Sequence, residues 1–249
     1  MDAELLRRRL EFYRDLGVRE IYRRQSGAEI RRPEATGQEP EVGSQEPRLA
    51  PQQTVIPQAG ESLLAILRDI GDCRRCRLHE GRTKLVFGVG NERSPVVFVG
   101  EGPGQDEDAQ GIPFVGRAGQ LLTQMIENTA KREGMPLRRE DVYICNVVKC
   151  RPPNNRTPEP DEMEICGQFL FRQLVAIAPK AICALGGTAA RALTGHKEGV
   201  TKMRGNWYRW RDIPVMVTYH PSYLLRAYNQ AAKREAWEDL KKLFHFVYD

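Results

Sequence analysis

The sequence predicts an α/β fold, a three-layer α/β/α domain around a central, mostly parallel four-stranded sheet. Three observations lead there. Continuous apolar runs at 95–100, 142–148, 181–185 and 215–218 lack polar alternation, as strands buried on both faces do. Helical stretches lie between them, near 118–133, 160–177, 187–194 and 230–247, and strand–helix alternation favours parallel pairing. Chemically versatile residues gather just past the runs, where such sheets bind ligands at the carboxyl ends of strands.

In chain order, residues 1–25 read as a helical extension. Leu6, Leu10 and Tyr13 share helical spacing, as do Leu5, Phe12 and Leu16, with arginines between and Gly17 as an interruption. Such a helix either packs on its own domain or docks a protein partner. Residues 26–60 contain no aromatic and no cysteine but many Glu, Gln, Gly and Pro. That composition buries too little surface to offset ordering entropy, so a disordered linker is expected. The main domain is expected over 61–249, with Ser62 capping a helix that runs to Ile70.

The 249 residues are 41% hydrophobic, enough for one large core, and no apolar run approaches the roughly 18 residues of a membrane span. The first residues are charged and show no apolar signal core, so a cytoplasmic, reducing setting is expected. Net charge is +5 with a pI near 8.9. Residues 1–60 balance ten Arg against ten Asp plus Glu, so the excess lies in 61–249. A mild positive balance is compatible with nucleic acid but does not demand it.

Each strand end then contributes polar groups. Gly100 to Asp108 holds three glycines in its first five positions, which lets backbone approach a ligand, and Glu101 puts a carboxylate at the rim. Gly111 to Gly116 frames Phe114, either a ring for stacking on a planar ligand or a core residue. Asn146 ends the second strand; it is either bonded to neighbouring backbone or an amide that reads a base edge. Asn155 lies in the loop that follows. After the last strand come His220, Ser222, Leu224, Leu225 and Arg226. A hydroxyl and a guanidinium suit phosphates and adjacent leucines suit a wedge between bases, unless the leucines simply pack inside.

Six cysteines in a reducing compartment favour metal binding over cross-linking. Cys145 and Cys183 fall on strands and read as buried hydrophobes. Cys73-x2-Cys76 and Cys150-x15-Cys166 remain as a four-thiolate set. Zinc and an iron–sulfur cluster both accept four cysteines, and spacing does not choose between them.

Taken together, these segments resemble the uracil-DNA glycosylase superfamily, specifically the family 4 enzymes that carry a [4Fe–4S] cluster. The resemblance runs from about residue 61 to the end. It rests on Gly-Glu-Gly-Pro-Gly-x2-Glu-Asp at 100–108, Asn-Val-Val-Lys-Cys-Arg-Pro-Pro from Asn146, His-Pro-Ser-x-Leu-Leu-Arg from His220, and the cysteine spacing. It implies a monomeric enzyme that flips uracil from double- or single-stranded DNA and hydrolyses the N-glycosidic bond. By resemblance, Phe114 stacks on uracil, Asn146 bonds N3–H and O4, and His220 donates to O2. Gly102 stands where the best-known members have Asp, so Glu101 either aligns the water or only shapes the pocket, and Asn155 is another candidate for holding the water. Ser222 holds phosphate, Leu224 with Leu225 fills the duplex gap, and Arg226 adds salt-sensitive affinity. Cys73, Cys76, Cys150 and Cys166 ligate the cluster, which favours it over zinc. The competing readings are a non-catalytic iron–sulfur DNA-binding module and a glycosylase broadened toward deaminated purines.

Overall fold

The computed structural model describes residues 60–226 and 229–249. The expected N-terminal helix and linker therefore lie outside the described residues, Gly60 excepted. The helices are α1 (Leu63–Ile70), α2 (Gln105–Gln110), α3 (Arg117–Arg132), α4 (Pro160–Ile177), α5 (Gly187–Thr194), α6 (Val200–Met203), α7 (Pro221–Leu224) and α8 (Gln230–Tyr248). The strands are β1 (Val89–Gly90), β2 (Val96–Gly100), β3 (Tyr143–Asn146), β4 (Ala181–Leu185), β5 (Trp207–Trp210) and β6 (Ile213–Thr218).

They form one six-stranded sheet in the order β1-β3-β2-β4-β6-β5. The four expected strands are its parallel centre. The expectation of four strands in all is corrected by two antiparallel edges, β1 on β3 and β5 on β6. Neither edge carries a continuous apolar run. β1 is two exposed residues, and β5 reads Trp-Tyr-Arg-Trp with only Trp210 buried. Edge strands need no second buried face, so the signature of a two-sided strand is missing from them.

Each central strand alternates between two cores. Val97, Val99, Tyr143, Cys145, Ile182, Ala184, Val215 and Val217 face one cluster with residues of α1, α4 and α5. Val96, Phe98, Ile144, Cys183, Leu185 and Met216 face the other, with α3 and α8. Cys145 and Cys183 are fully buried in opposite cores, as hydrophobes. At the domain's start, Arg172 of α4 is 3% exposed and bonds both Glu61 and Asp69, clamping α1 to α4. Ser62 caps α1 by accepting from the Ala65 amide. No helix among the described residues is long and apolar enough to cross a membrane.

Candidate active site

Parallel register places Gly100 directly beside Asn146, so β2 and β3 end together. The chain beyond β6 brings His220 to the same place. A cavity of about 230 Å³ opens there, lined by Glu101, Gly102, Phe114, Asn146, Asn155, His220 and Ser222 among others. Six of the residues singled out in separate stretches of sequence thus meet with Gly102 at one pocket, at the carboxyl edge of the sheet where α/β folds bind ligands.

Gly100 is required by contact. A Cβ there would stand 2.4 Å from Asn146 Oδ1 and 2.5 Å from Phe114 Cζ. Phe114 is buried and held at φ 54°, a left-handed conformation rare for an aromatic. Two neighbours sustain it: Arg139 donates to the Pro113 carbonyl at 2.8 Å, and Gly119 leaves room where a Cβ would lie 1.8 Å from the Phe114 carbonyl oxygen. The Phe114 and His220 rings lie 5.7 Å apart with their planes tilted by 36°.

Asn146 is 1% exposed, and its side-chain oxygen has no hydrogen-bond partner. A buried acceptor left unpaired costs about 1–3 kcal/mol, and at the wall of a cavity it invites a ligand N–H. His220 has a defined tautomer. The Ser222 backbone N–H donates to Nδ1 at 3.2 Å, so Nδ1 accepts and the neutral ring carries its proton on Nε2. Burial pulls the His220 pKa from 6.5 down to about 4, against an opposing pull from Glu107, so the ring is neutral at pH 7.

Three further residues support this pocket, two of them, Glu107 and Lys149, inside the motifs but with no role assigned there. Thr188, at the start of α5, donates its hydroxyl to Glu101 and fixes that carboxylate. Glu107 accepts from the Gly104, Val115 and Gly116 amides, tying the glycine-rich turn to the Phe114 loop. Lys149 is fully buried and donates to the Asn146 carbonyl at 2.7 Å. A run such as Gly-Gly-Thr shows no sign in sequence of the carboxylate it will meet 87 residues away. Asn155, at φ 54°, has its side-chain oxygen held by Arg151 Nε at 2.8 Å. Gly102 packs against Val148, leaving 2.7 Å for a Cβ, so the absent side chain is also sterically required.

In the segment after β6, Leu224 is 1% exposed and packs with Tyr219, Ala232 and Ala236, the inward-packed alternative read for it, here without DNA. Leu225 is half-buried, and Tyr223 is exposed beside it. Ser222 has its hydroxyl 2.7 Å from His220 Nδ1, which makes it a partner of the histidine in addition to any phosphate. Arg226 is exposed and lies over the Tyr223 ring at 6.0 Å, which itself stacks on Tyr219.

No cysteine is in a disulfide. Cys73 and Cys76 pack against the core cluster that holds Cys150 and Cys166. The four are close enough that their thiolates would repel: Cys76 is pushed up to about 11 by burial, with Cys150 and Cys73 adding to it. Cys166 is pushed up to about 12, chiefly by burial. Positive or N–H groups already face the sulfurs. Arg82 donates to Cys150 Sγ at 3.3 Å, and the Lys149 amide donates to Cys166 Sγ at 3.2 Å. Two buried and two half-buried thiols that raise one another's pKa, with donors turned toward them, fit a bound cation or cluster. Among the described residues no three or more His, Cys, Asp or Glu are drawn together tightly enough for one metal ion.

A pocket that combines a stacking ring, an unpaired amide oxygen and a neutral histidine donor at the strand ends is built for a flat heterocycle. The family to which the chain belongs is the uracil-DNA glycosylase superfamily, whose model matches residues 87–241. Within it the chain is similar to type-4 enzymes. It is 48% identical over 190 residues to the type-4 uracil-DNA glycosylase of Thermotoga maritima, covering 75% of this chain and 96% of that one. Identity is 47% over 191 residues to the type-4 enzyme of Archaeoglobus fulgidus, covering 74% and 92%. For that of Sulfurisphaera tokodaii it is 42% over 191 residues, covering 74% and 84%.

Proposed function

We propose that the chain excises uracil from DNA by hydrolysing its N-glycosidic bond and leaving an abasic site. The observation that carries this is the unpaired Asn146 Oδ1 in the cavity wall. Uracil N3–H is a donor for that oxygen, and uracil O4 accepts from the same amide. Cytosine presents an acceptor at N3 and a donor at N4, so both bonds become mismatches. A site whose buried polar groups go unpaired with the wrong base discriminates by orders of magnitude.

Uracil in a duplex is stacked, so the nucleotide must be extruded to reach this depth. Phe114 stacks on the flipped base. As the C1′–N1 bond breaks, negative charge spreads to uracil O2, where neutral His220 donates through Nε2. Water adds its hydroxyl to C1′, and the base leaves with a proton on nitrogen. Glu101, held by Thr188, and Asn155, held by Arg151, orient that water at the mouth. Arg226 and Ser222 meet phosphates, and Leu225 with Tyr223 occupies the vacated stack in place of Leu224. The pocket is complete within one chain.

Cys73, Cys76, Cys150 and Cys166 hold a [4Fe–4S] cluster in this reading. The resemblance to cluster-bearing family 4 enzymes favours the cluster over tetrahedral zinc, which four cysteines also accept. The cluster serves as a structural clasp: no residue assigned to uracil is one of its ligands.

The deciding assay incubates the protein with an oligonucleotide carrying one uracil and measures released base. Free uracil with an alkali-labile, otherwise intact strand is expected. Binding without release would leave only a DNA-binding module, and a spontaneous nick would indicate lyase chemistry. Broad absorbance near 400 nm with iron is expected of anaerobically prepared protein; a colourless protein with stoichiometric zinc would reject the cluster.

A further inference from the structure

Lys149 takes no part in the chemistry just described, yet it is among the largest fully buried side chains and is completely inaccessible. Burying a lysine is costly unless its donors are met. Two of its three are. Nζ donates to the Asn146 carbonyl at 2.7 Å and to Gln173 Oε1 at 2.6 Å. Gln173, also fully buried, donates in turn to the Phe87 carbonyl at 3.0 Å and the Tyr143 hydroxyl at 3.2 Å. The main chain of Lys149 is equally committed. Its amide donates to Cys166 Sγ at 3.2 Å, and its carbonyl accepts from the Val86 amide at 2.8 Å.

Two consequences follow from this wiring. First, the strand end is closed by a side chain. β3 stops at Asn146, and the lysine three residues on reaches back to hold that residue's peptide, which orients the Cα–Cβ bond carrying the reading amide. Second, the lysine is anchored on α4 at both ends of its reach, by Gln173 and by Cys166. The hydrogen bonds of Lys149 thus run from the Asn146 peptide to Gln173 of α4 and, through its own amide, to Cys166 of the same helix.

We propose that Lys149 is a positioning residue that fixes the reading amide of Asn146 to the four-cysteine site, so that a change at Cys166 reaches the base pocket. The inference rests on the assignment of this pocket to uracil. It gives the cysteine site a route to activity through an intervening side chain, without contact with substrate.

The test compares the full chain with Lys149→Met, Gln173→Leu and Asn146→Ala. Iron per chain and the visible absorbance report the cysteine site. Free-uracil affinity by calorimetry, abasic-site DNA affinity and single-turnover excision report the pocket. Lys149→Met is expected to keep iron and abasic-DNA affinity while uracil affinity and excision both fall roughly ten- to a hundredfold, as for a displaced binding group. Gln173→Leu should move the same two quantities in the same direction by less, and it decides the matter if Lys149→Met does not fold. Parental uracil affinity and rate in the folded variants would overturn the proposal. So would loss of iron in both, which would make the pair a scaffold for the cysteines alone. If Asn146→Ala retains its rate, the uracil reading itself fails; if it collapses while the lysine and glutamine variants do not, only this inference falls.

Discussion

A neutral His220 makes a prediction about pH whose sign follows from the structure. Its ring titrates near 4 in the fold and near 6.5 when exposed. That difference corresponds to about 3 kcal/mol against charging the ring, trimmed to about 2–3 kcal/mol because water reaches the open pocket. Between pH 4 and 6.5 the unfolded chain binds more protons than the folded one, so this contribution to stability rises with pH across that window. It is complete above 6.5 and lost as pH falls to 4. Catalysis should follow the same group. Protonation puts a hydrogen on Nδ1, which then opposes the Ser222 N–H it now accepts from. Single-turnover excision, quenched at intervals between pH 4 and 8, should be insensitive to His220 from about pH 5.5 upward and decline below about 5. His220→Ala removes one donor to the departing base and should lower the plateau by about 3–4 kcal/mol, or roughly 10²–10³-fold. His220→Gln should flatten the acid slope of stability. A parental rate that falls as pH rises through 6 to 7 would refute the reasoning, because it would identify an imidazolium acting as acid.

Three other outcomes are expected. Gly100→Ala puts a methyl into the space of Asn146 Oδ1 and Phe114 Cζ, so excision should fall roughly a hundredfold or more with abasic-DNA binding and secondary structure kept; an active variant would mean the pocket relaxes freely. Thr188→Val frees the Glu101 carboxylate, and the loss of a charged hydrogen bond of about 1.5–3 kcal/mol should appear in the single-turnover rate and not in abasic-DNA affinity. Glu162, fully buried between Arg77 and Arg156, is held down to about 2, chiefly by Arg156. Its stabilising share is present above its ordinary value of 4.5 and lost as pH falls toward 2, and Glu162→Gln should cost about 2–3 kcal/mol in urea unfolding at pH 7, an effect absent at pH 2.

Much of this protein is legible from local pattern. β2, β3, β4 and β6 were found because a strand covered on both faces must be apolar without interruption. α3, α4, α5 and α8 match the helical stretches expected between and after those runs. Cys145 and Cys183 were read as core, and both are. The edge strands were missed for the complementary reason, since Trp207 to Trp210 serves one wet face and has no such run. Leu224 and Leu225 are neighbours of one type, and nothing in their order says that one turns inward onto Tyr219 and Ala232 while the other stays half-open.

The residue types and strand-end positions that define the pocket are sequence properties, because parallel strands deliver their carboxyl ends to a common edge. The state of each group is not. Asn146 Oδ1 is buried without a partner beside Gly100 and Phe114, His220 is neutral with its proton on Nε2 because of burial and the Ser222 amide, and Glu101 is held by a hydroxyl 87 residues away. Hydrogen bonding and desolvation depend on what packing brings within a few ångströms, and that distance is settled only when the sheet and its helices close around the site.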